Sequence, residues 1–478
     1  MSGGGRRVAA GRSSAVAAWV MPGLLLAAAS AATLHARRAP GPGGTAHVAV
    51  PADLVDAVVD AHVHAPLVVP ASAAGNGLGL ERPALPGAAG FASTVLTRVS
   101  VADGGRRWLL ATRASLPATA DSVARCLNTE RGGGFAGAAL RAAGVAVRVE
   151  VVDSDVVVTF DRPVFVLPAL LAWCPLRGPQ GSPTGAYAQP TPGRLSWRTG
   201  TFDAPPLLAG LEVRGRASGA ADGEKADVAF ATDADRDDGA TLLAPWGDVL
   251  VLVQPPAARD VDAFALADAR GGRRAFRSAL RADLLVAAWA GGRGAPTEAL
   301  LPPGVAPARP LPSTTGGPPA QLSLAPLPAG APRVRVAAAA DDPLLDGVVG
   351  RLAVLLRGRG ALLDRQREAG DDDIALVRWH APTHDAALAL LAFLGERPSL
   401  LTDPAIARAL DAAALLAADP AARLRAALTL ERALLDGRLV VPLLFVDRAL
   451  VVDPDLHGVQ VRDDGVPLLD GAWWGGGR

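Results

Sequence analysis

Three segments decide how this chain is read: Arg273-Arg274-Ala275-Phe276-Arg277-Ser278-Ala279-Leu280, then Ala299-Leu300-Leu301-Pro302-Pro303-Gly304-Val305, then, after a Pro-rich stretch, Val334-Arg335-Val336. Phe276, Leu280, Leu284 and Ala287 fall at helical spacing, so 273–290 reads as a helix that Gly291-Gly292 ends. Residues 302–332 are too rich in Pro, Gly and Ser for a core element and read as a long connector. Downstream, strand and helix alternate. Val334–Ala338 is a strand, and Asp342-Pro343 starts a helix that buries Leu344, Val348, Leu352 and Leu355. A strand follows over Asp373–Trp379, and helices start at Asp403-Pro404 and Asp419-Pro420. There Asp accepts the free amide protons and Pro at the first helical position loses nothing. Strands at Leu439–Val446 and Ala449–Val452 close an α/β arrangement with largely parallel pairing.

Working back toward the N-terminus, strand signals stand at Asp248–Val253, Ala226–Phe230 and Leu211–Val213. Val145–Val152 and Val156–Phe160 pair across Asp153-Ser154-Asp155, and a helix capped by Thr119 carries Val123, Cys126 and Leu127 on one face. Asn76–Gly90 is loop and His47–Val50 a short strand. Arg6, Arg7 and Arg12 precede an apolar run from Ala15 to Leu34, which fits export. Ala29-Ser30-Ala31 offers a cleavage site, and the run is also close to the ~20 residues that span a bilayer, so cleaved signal and retained anchor both remain open.

At 478 residues the chain exceeds the ~250–300 at which one core stops growing, so at least two domains are expected. Its 47 basic and 47 acidic residues cancel, with no basic stripe for phosphate neutralisation, which argues against a nucleic-acid partner. Cys126 and Cys174 are the only cysteines; they either pair in an oxidising compartment or sit as two buried small side chains.

Several segments, taken in order, carry a resemblance: Thr119-Ala120-Asp121-Ser122-Val123, Pro183-Thr184-Gly185-Ala186-Tyr187, Gly223-Glu224-Lys225-Ala226-Asp227-Val228, Arg273–Leu280, Leu300–Gly304 and Leu439-Val440-Val441-Pro442-Leu443. Over residues 46–474 the chain resembles the extracytoplasmic solute-binding proteins of peptide and nickel ABC transporters, the family-5 type. The resemblance implies a two-lobed periplasmic-binding-protein-like (type II) α/β fold with mixed sheets and hinge-crossing strands. It implies a signal or anchor over 1–34 and a flexible leader over 35–45. Lobe I then comprises 46–60, 165–255 and 448–474, a small subdomain over 61–164 packs on lobe I, and lobe II covers 256–447. It also implies a monomer without cofactor or metal that holds a peptide or other small molecule and presents it to an ABC permease.

Two departures bear on the ligand. The family's Phe-His-Asp-Gly is replaced by Arg113-Ala114-Ser115-Leu116-Pro117. Peptide binders of the family place an Asp three residues after a Trp to meet the ligand's α-amino group, but here Trp379 is followed at that spacing by Pro382. A free peptide is then held only if Asp385 substitutes, because a buried ammonium without a counter-charge is costly. The candidate cleft residues are Trp379, His384 and Asp385, just past a strand end. Their structural alternatives are core packing for Trp379 and a solvated helix start for His384 and Asp385.

Two rival readings stand beside this one. In Val58-Val59-Asp60-Ala61-His62-Val63-His64, two imidazoles at alternate positions of a strand end would suit a metal-dependent amidohydrolase. That fold needs eight strand–helix units and further ligands. Only His35, His47, His380, His384 and His457 remain as imidazoles, and Lys225 is the sole lysine. The plain alternative puts His62 and His64 in a partly exposed loop. The second rival is a binding-protein-like scaffold or sensor without a transport role.

Overall fold

The computed structural model describes residues 44–51, 54–71, 83–130, 134–198, 208–216, 226–230, 240–256, 280–281, 284–286, 293–307, 334–338, 342–357, 362–367 and 373–475. The apolar N-terminal run, residues 35–43 of the leader, Gly223–Lys225, most of the 273–290 helix and most of the 302–332 connector lie outside them. Among the described residues no helix is long and apolar enough to cross a membrane.

In chain order the elements are β1 (Thr45–Pro51), α1 (Val55–Val63), β2 (Leu96–Ala102), β3 (Arg107–Thr112), α2 (Leu116–Cys126), α3 (Phe135–Ala142), β4 (Val147–Val152) and β5 (Asp155–Phe160). There follow β6 (Tyr187–Thr191), β7 (Arg194–Trp197), β8 (Gly210–Arg216), β9 (Val228–Phe230), β10 (Ala240–Leu243), β11 (Asp248–Val253), β12 (Gly294–Pro296) and β13 (Val334–Ala337). The chain continues with α4 (Pro343–Arg357), β14 (Leu363–Gln366), β15 (Ile374–His380), α5 (Ala386–Glu396), α6 (Pro404–Ala409), α7 (Pro420–Asp436), β16 (Val440–Val446) and β17 (Ala449–Val452).

These strands build three principal sheets: a seven-stranded sheet in the order β10-β17-β9-β1-β8-β7-β6, a six-stranded sheet in the order β12-β16-β11-β15-β13-β14, and a four-stranded sheet in the order β2-β3-β5-β4. The architecture is the mixed α/β one. The expectation of largely parallel pairing is corrected: β1 runs parallel to β8 and β9, and β13 to β14 and β15, while the remaining pairs are antiparallel. Parallel neighbours need a long crossover such as α4 between β13 and β14, whereas strands joined by tight turns must reverse.

Caps set the helix starts in the last third. Asp342 Oδ1 accepts from the amides of Leu344 and Leu345 at 2.9 and 3.3 Å, and Asp403 and Asp419 do the same for α6 and α7. α4 buries Leu344, Val348, Leu352 and Leu356; Leu355, expected in that row, is only partly buried at its edge. α2 begins three residues before Thr119, because Pro117 is accommodated in its first turn. Thr119 is therefore an interior, fully buried residue whose hydroxyl bonds back to the Ser115 carbonyl at 3.0 Å.

Three apolar clusters hold the sheets. The first joins β1, β8 and β9 to α1 and to the C-terminal segment through Val48, Val58, Tyr187, Leu211 and Trp474. The second packs Leu250 and Leu252 of β11 on α4. The third collects Val249, Val251 and Val253, from the opposite face of β11, with α5 and the four-stranded unit. From Ala386 to Gly395 α5 is apolar on every side and buried, as befits a helix whose only solvent contact is its last residue, Glu396. α3 crosses it so closely that a Cβ at Gly395 would sit 1.9 Å from the Ala138 carbonyl oxygen. Arg141 adds two bonds to the Gly395 carbonyl, at 3.0 and 2.8 Å. The inserted unit, expected on the first lobe, thus shares its core with the helix that covers the six-stranded sheet. β11, placed by the expected boundary at 255 with the first lobe, is a central strand of that same sheet.

Cys126, at the end of α2, is joined to Cys174 by a disulfide that closes a 48-residue separation. It ties the four-stranded unit to the segment leading into β6. Replacing both cysteines by Ala should lower stability by about 4 kcal/mol, the loop-closure entropy for that length. Chemical denaturation measures this, and a non-reducing peptide map should recover the 126–174 pair.

Candidate functional site

Among the described residues the chain passes between the two large sheets twice, at 244–247 (β10 to β11) and at 447–448 (β16 to β17). The crossings lie side by side. The Ala244 amide donates to the Arg448 carbonyl at 2.9 Å, and Gly247 approaches Val446 so closely that a Cβ would lie 2.1 Å from its carbonyl oxygen. Trp246, in the first crossing, donates its indole N–H to the Ala381 carbonyl at 2.8 Å and stacks beside His380, with centroids 6.3 Å apart.

Beneath the crossings lies Asp248, with no solvent exposure. Its carboxylate takes Arg378 Nε at 2.6 Å, His380 Nδ1 at 2.8 Å and Arg448 Nε at 3.1 Å. Arg378 extends the chain of charges to Asp342 at 3.2 Å. Burial by itself pushes the Asp248 carboxyl up; the guanidiniums of Arg448 and Arg378 and the bond from His380 more than reverse this, holding it far below the ordinary carboxylate range. The cluster ties β11 and β15 to Arg448 in the second crossing.

The three expected cleft residues flank these crossings. Trp379 is buried against Phe393 of α5, edge to face at 5.3 Å. Asp385 caps α5 through Oδ1, bonding the amides of Ala387 and Leu388, while its Oδ2 takes Arg423 of α7 at 2.8 Å. His384 has a half-exposed side chain whose Nδ1 stands 3.8 Å from Asp463, on the C-terminal segment that packs against the seven-stranded sheet. Its pKa is raised, first by the nearby Asp463 carboxylate and against the effect of burial. His380 Nε2 meets the Asp463 carbonyl at 3.1 Å, so the loop after β15 and the turn at 462–466 face one another where the two sheet systems meet. Sequence reasoning missed Asp248, Trp246, Asp463 and Arg448, since only their mutual placement marks them. A Trp in the short segment between two strand signals was the one available hint.

His62 and His64 are not on a strand. Both lie at the C-terminal end of α1 and are buried, at 1% and 6% exposure, which corrects the partly exposed loop. His62 Nδ1 donates to the Val58 carbonyl at 2.7 Å, and Nε2 accepts from the Leu469 amide at 3.0 Å, so both ring nitrogens are occupied in a neutral ring. The turn at Thr184-Gly185 closes over the helix end; a Cβ at Gly185 would fall 2.6 Å from the His62 carbonyl oxygen. The sheets are open, and the eight-unit barrel of the amidohydrolase reading is not formed among the described residues. Alongside α1 lies a cavity of about 180 Å³ lined by Asp60, His64, Trp173, Pro175, Arg462 and Asp470 among others.

Asp248→Asn should cost about 3–5 kcal/mol, since it leaves the Arg448 guanidinium without a counter-charge and Arg378 with Asp342 alone. The wild-type carboxyl is depressed in the folded state, so its contribution is complete above the unfolded value near 4 and is lost as pH falls below that. Denaturation midpoints from pH 7 down to pH 2 should therefore show an acid slope that Asp248→Asn flattens. The His384 imidazole should titrate above its ordinary value of ~6.5 by NMR and return toward it in Asp463→Asn.

No protein-family model matches the chain, and no curated protein matches it in sequence. Solved structures do. A dipeptide-binding protein of Pseudoalteromonas, solved with Met-Leu, superposes with a TM-score of 0.64 at 14% identity, covering 90% of this chain and 100% of that one. DppA of Helicobacter pylori, an ABC transporter-associated periplasmic binding protein solved with a peptide, gives 0.63 at 12% identity over 90% and 98%. NikA of Brucella suis, in complex with Fe(III)-EDTA, gives 0.62 at 13% identity over 90% and 100%. With two sheet systems joined by paired crossings and near-complete coverage of those proteins, this chain has the two-lobed fold of the solute-binding proteins of ABC transporters.

Proposed function

We propose that this protein is the extracytoplasmic solute-binding component of an ABC transport system. It holds a peptide-like or other small solute between its two sheet systems without altering it chemically. The observation that carries the reading is the pair of adjacent crossings, 244–247 and 447–448, which together make a hinge beside the facing loops of His384 and Asp463. Two bodies joined at such a hinge can close on a ligand, provided the ligand touches both, because only differential affinity shifts the equilibrium. The bound molecules of the structural neighbours support a small solute as the class.

On this reading lobe I is built on the seven-stranded sheet and lobe II on the six-stranded sheet. His384 borders the solute from lobe II. Trp379 and Asp385 act from behind it, the indole by packing on Phe393 and the carboxylate by capping α5, so that the 380–385 loop keeps one conformation. The apolar N-terminal run directs export, and the closed monomer presents its solute to an inner-membrane permease.

Protein purified from its native host and then denatured should release a small molecule identifiable by mass spectrometry. Returning that molecule to the refolded protein should reduce the radius of gyration in X-ray scattering. Neither release nor compaction leaves the scaffold or sensor reading in its place.

A further inference from the structure

The cavity beside α1 is walled by the helix end and the turn at 462–470, on the side of the seven-stranded sheet, and by the 173–175 segment, whose Cys174 packs in the core of the four-stranded unit. Its charges do not balance. Asp60 is neutralised by Arg177, whose Nη2 lies 2.5 Å from Oδ2. Arg462 is neutralised by Asp464 through a two-point contact and lies over the Trp173 ring at 5.2 Å. Asp470 has no such partner among the described residues. Its nearest imidazole nitrogen, His62 Nε2, stands 4.0 Å away and already accepts the Leu469 amide, so it carries no proton to offer.

Three polar atoms at this cavity are buried without a hydrogen-bond partner among the described residues: Asp470 Oδ1, His64 Nδ1 and Trp173 Nε1. Native proteins seldom leave such atoms unpaired, and three around one cavity mark it as a polar site whose partners are water or a bound ligand. Their chemistry is specific. The Asp470 oxygen is a charged acceptor. His64 is more than nine-tenths buried, and burial, opposed by Asp60, lowers its pKa and keeps the ring neutral. Assigning its proton to Nε2, which faces Asp60 at 3.9 Å, leaves Nδ1 as a second acceptor. The Trp173 indole is a donor only. Trp173 also adopts a left-handed backbone conformation, φ 62°, that bulky residues rarely hold. Two acceptors, one of them an uncompensated carboxylate, call for a cationic donor. His64 and Asp470 supply too few ligands for a metal ion among the described residues.

We infer that this cavity recognises a primary ammonium group with a hydrogen-bond acceptor next to it: the ammonium donates to Asp470 Oδ1 and His64 Nδ1, and the Trp173 indole N–H donates to the neighbouring acceptor. The inference rests on the solute-binding reading and names the end of the solute that lobe I holds. The peptide binders resembled here meet an amine from the other side, at the position that Pro382 occupies in this chain; Asp470 offers a carboxylate from lobe I instead.

The probes are ethanolamine and glycinamide, each set against its uncharged counterpart, ethylene glycol and glycolamide. They are titrated into the full chain while the indole N–H signal of Trp173, assigned through Trp173→Phe, is followed by NMR. Both amines should shift that signal saturably and the neutral compounds should not. Asp470→Asn should weaken amine binding at least tenfold. His64→Phe, which removes the second acceptor and spares the carboxylate, should weaken it at least threefold and serves if the first variant does not fold. Equal response to charged and neutral probes, no response to any, or affinity unchanged in these variants overturns the inference. Scattering with the solute released from native protein reports on the parent reading separately. Compaction that is indifferent to Asp470 rejects the pocket and keeps the transport role, whereas Asp470-dependent amine binding without compaction keeps the pocket and rejects that role.

Discussion

The buried carboxylate of Asp248 is the constraint around which the two sheet systems are arranged. A lone carboxylate without solvent contact is expensive, and it persists here because Arg378, His380 and Arg448 converge on its two oxygens. Those partners come from β15 and from the second crossing, so the electrostatic need of one side chain fixes the first residue of β11, the end of β15 and the hinge relative to each other. An apolar residue at 248 could be buried at lower cost but would bring no such directional requirement. A hinge needs that directionality, because its position matters more than its gross stability.

From that point the architecture follows in two directions. Toward the interior, β11 shows one face to α4 and the other to α5, and the enclosed α5 passes the contact on to the four-stranded unit through α3. The close approach at Gly395 and the Arg141 bonds to its carbonyl make this a fitted contact between two helices, which ties the inserted unit to the six-stranded sheet. Toward the exterior, Trp246 clamps the first crossing to Ala381, and the loop that follows carries His384 to Asp463. Core packing thus sets the orientation of the loops where the two sheet systems meet. The disulfide from Cys126 acts on the other flank, holding α2 against the segment that lines the polar cavity.

Local chemistry was legible in the residues themselves. Asp-Pro pairs announced the starts of α4, α6 and α7, the alternation in 145–160 announced a hairpin, and the ordered series of weak motifs pointed to the two-lobed fold. Helix starts need only a side-chain acceptor and a pre-set φ, and both are properties of adjacent residues. The limits of the reading have equally physical causes. Thr119 looked like a cap because Ser, Thr and Asp favour caps, but Pro117 allowed the helix to begin earlier. His62 and His64 looked like a strand pair because a two-residue spacing is shared by strands and by many other conformations. Trp379 and Asp385 are expected at a cleft from their place just past a strand end; their side chains pack on Phe393 and cap α5, a placement that position in sequence does not specify.

The sequence by itself therefore determined the elements, the α/β class and the ordered resemblance, all of which depend on interactions within a few residues. Tertiary structure alone decided which charges meet and which polar atoms stay unpaired. Asp248 and Arg448 are 200 residues apart, and His64 and Asp470 about twice that, so no local pattern records their proximity. The energy of a buried charge depends on what surrounds it in space, and only the folded chain specifies those surroundings.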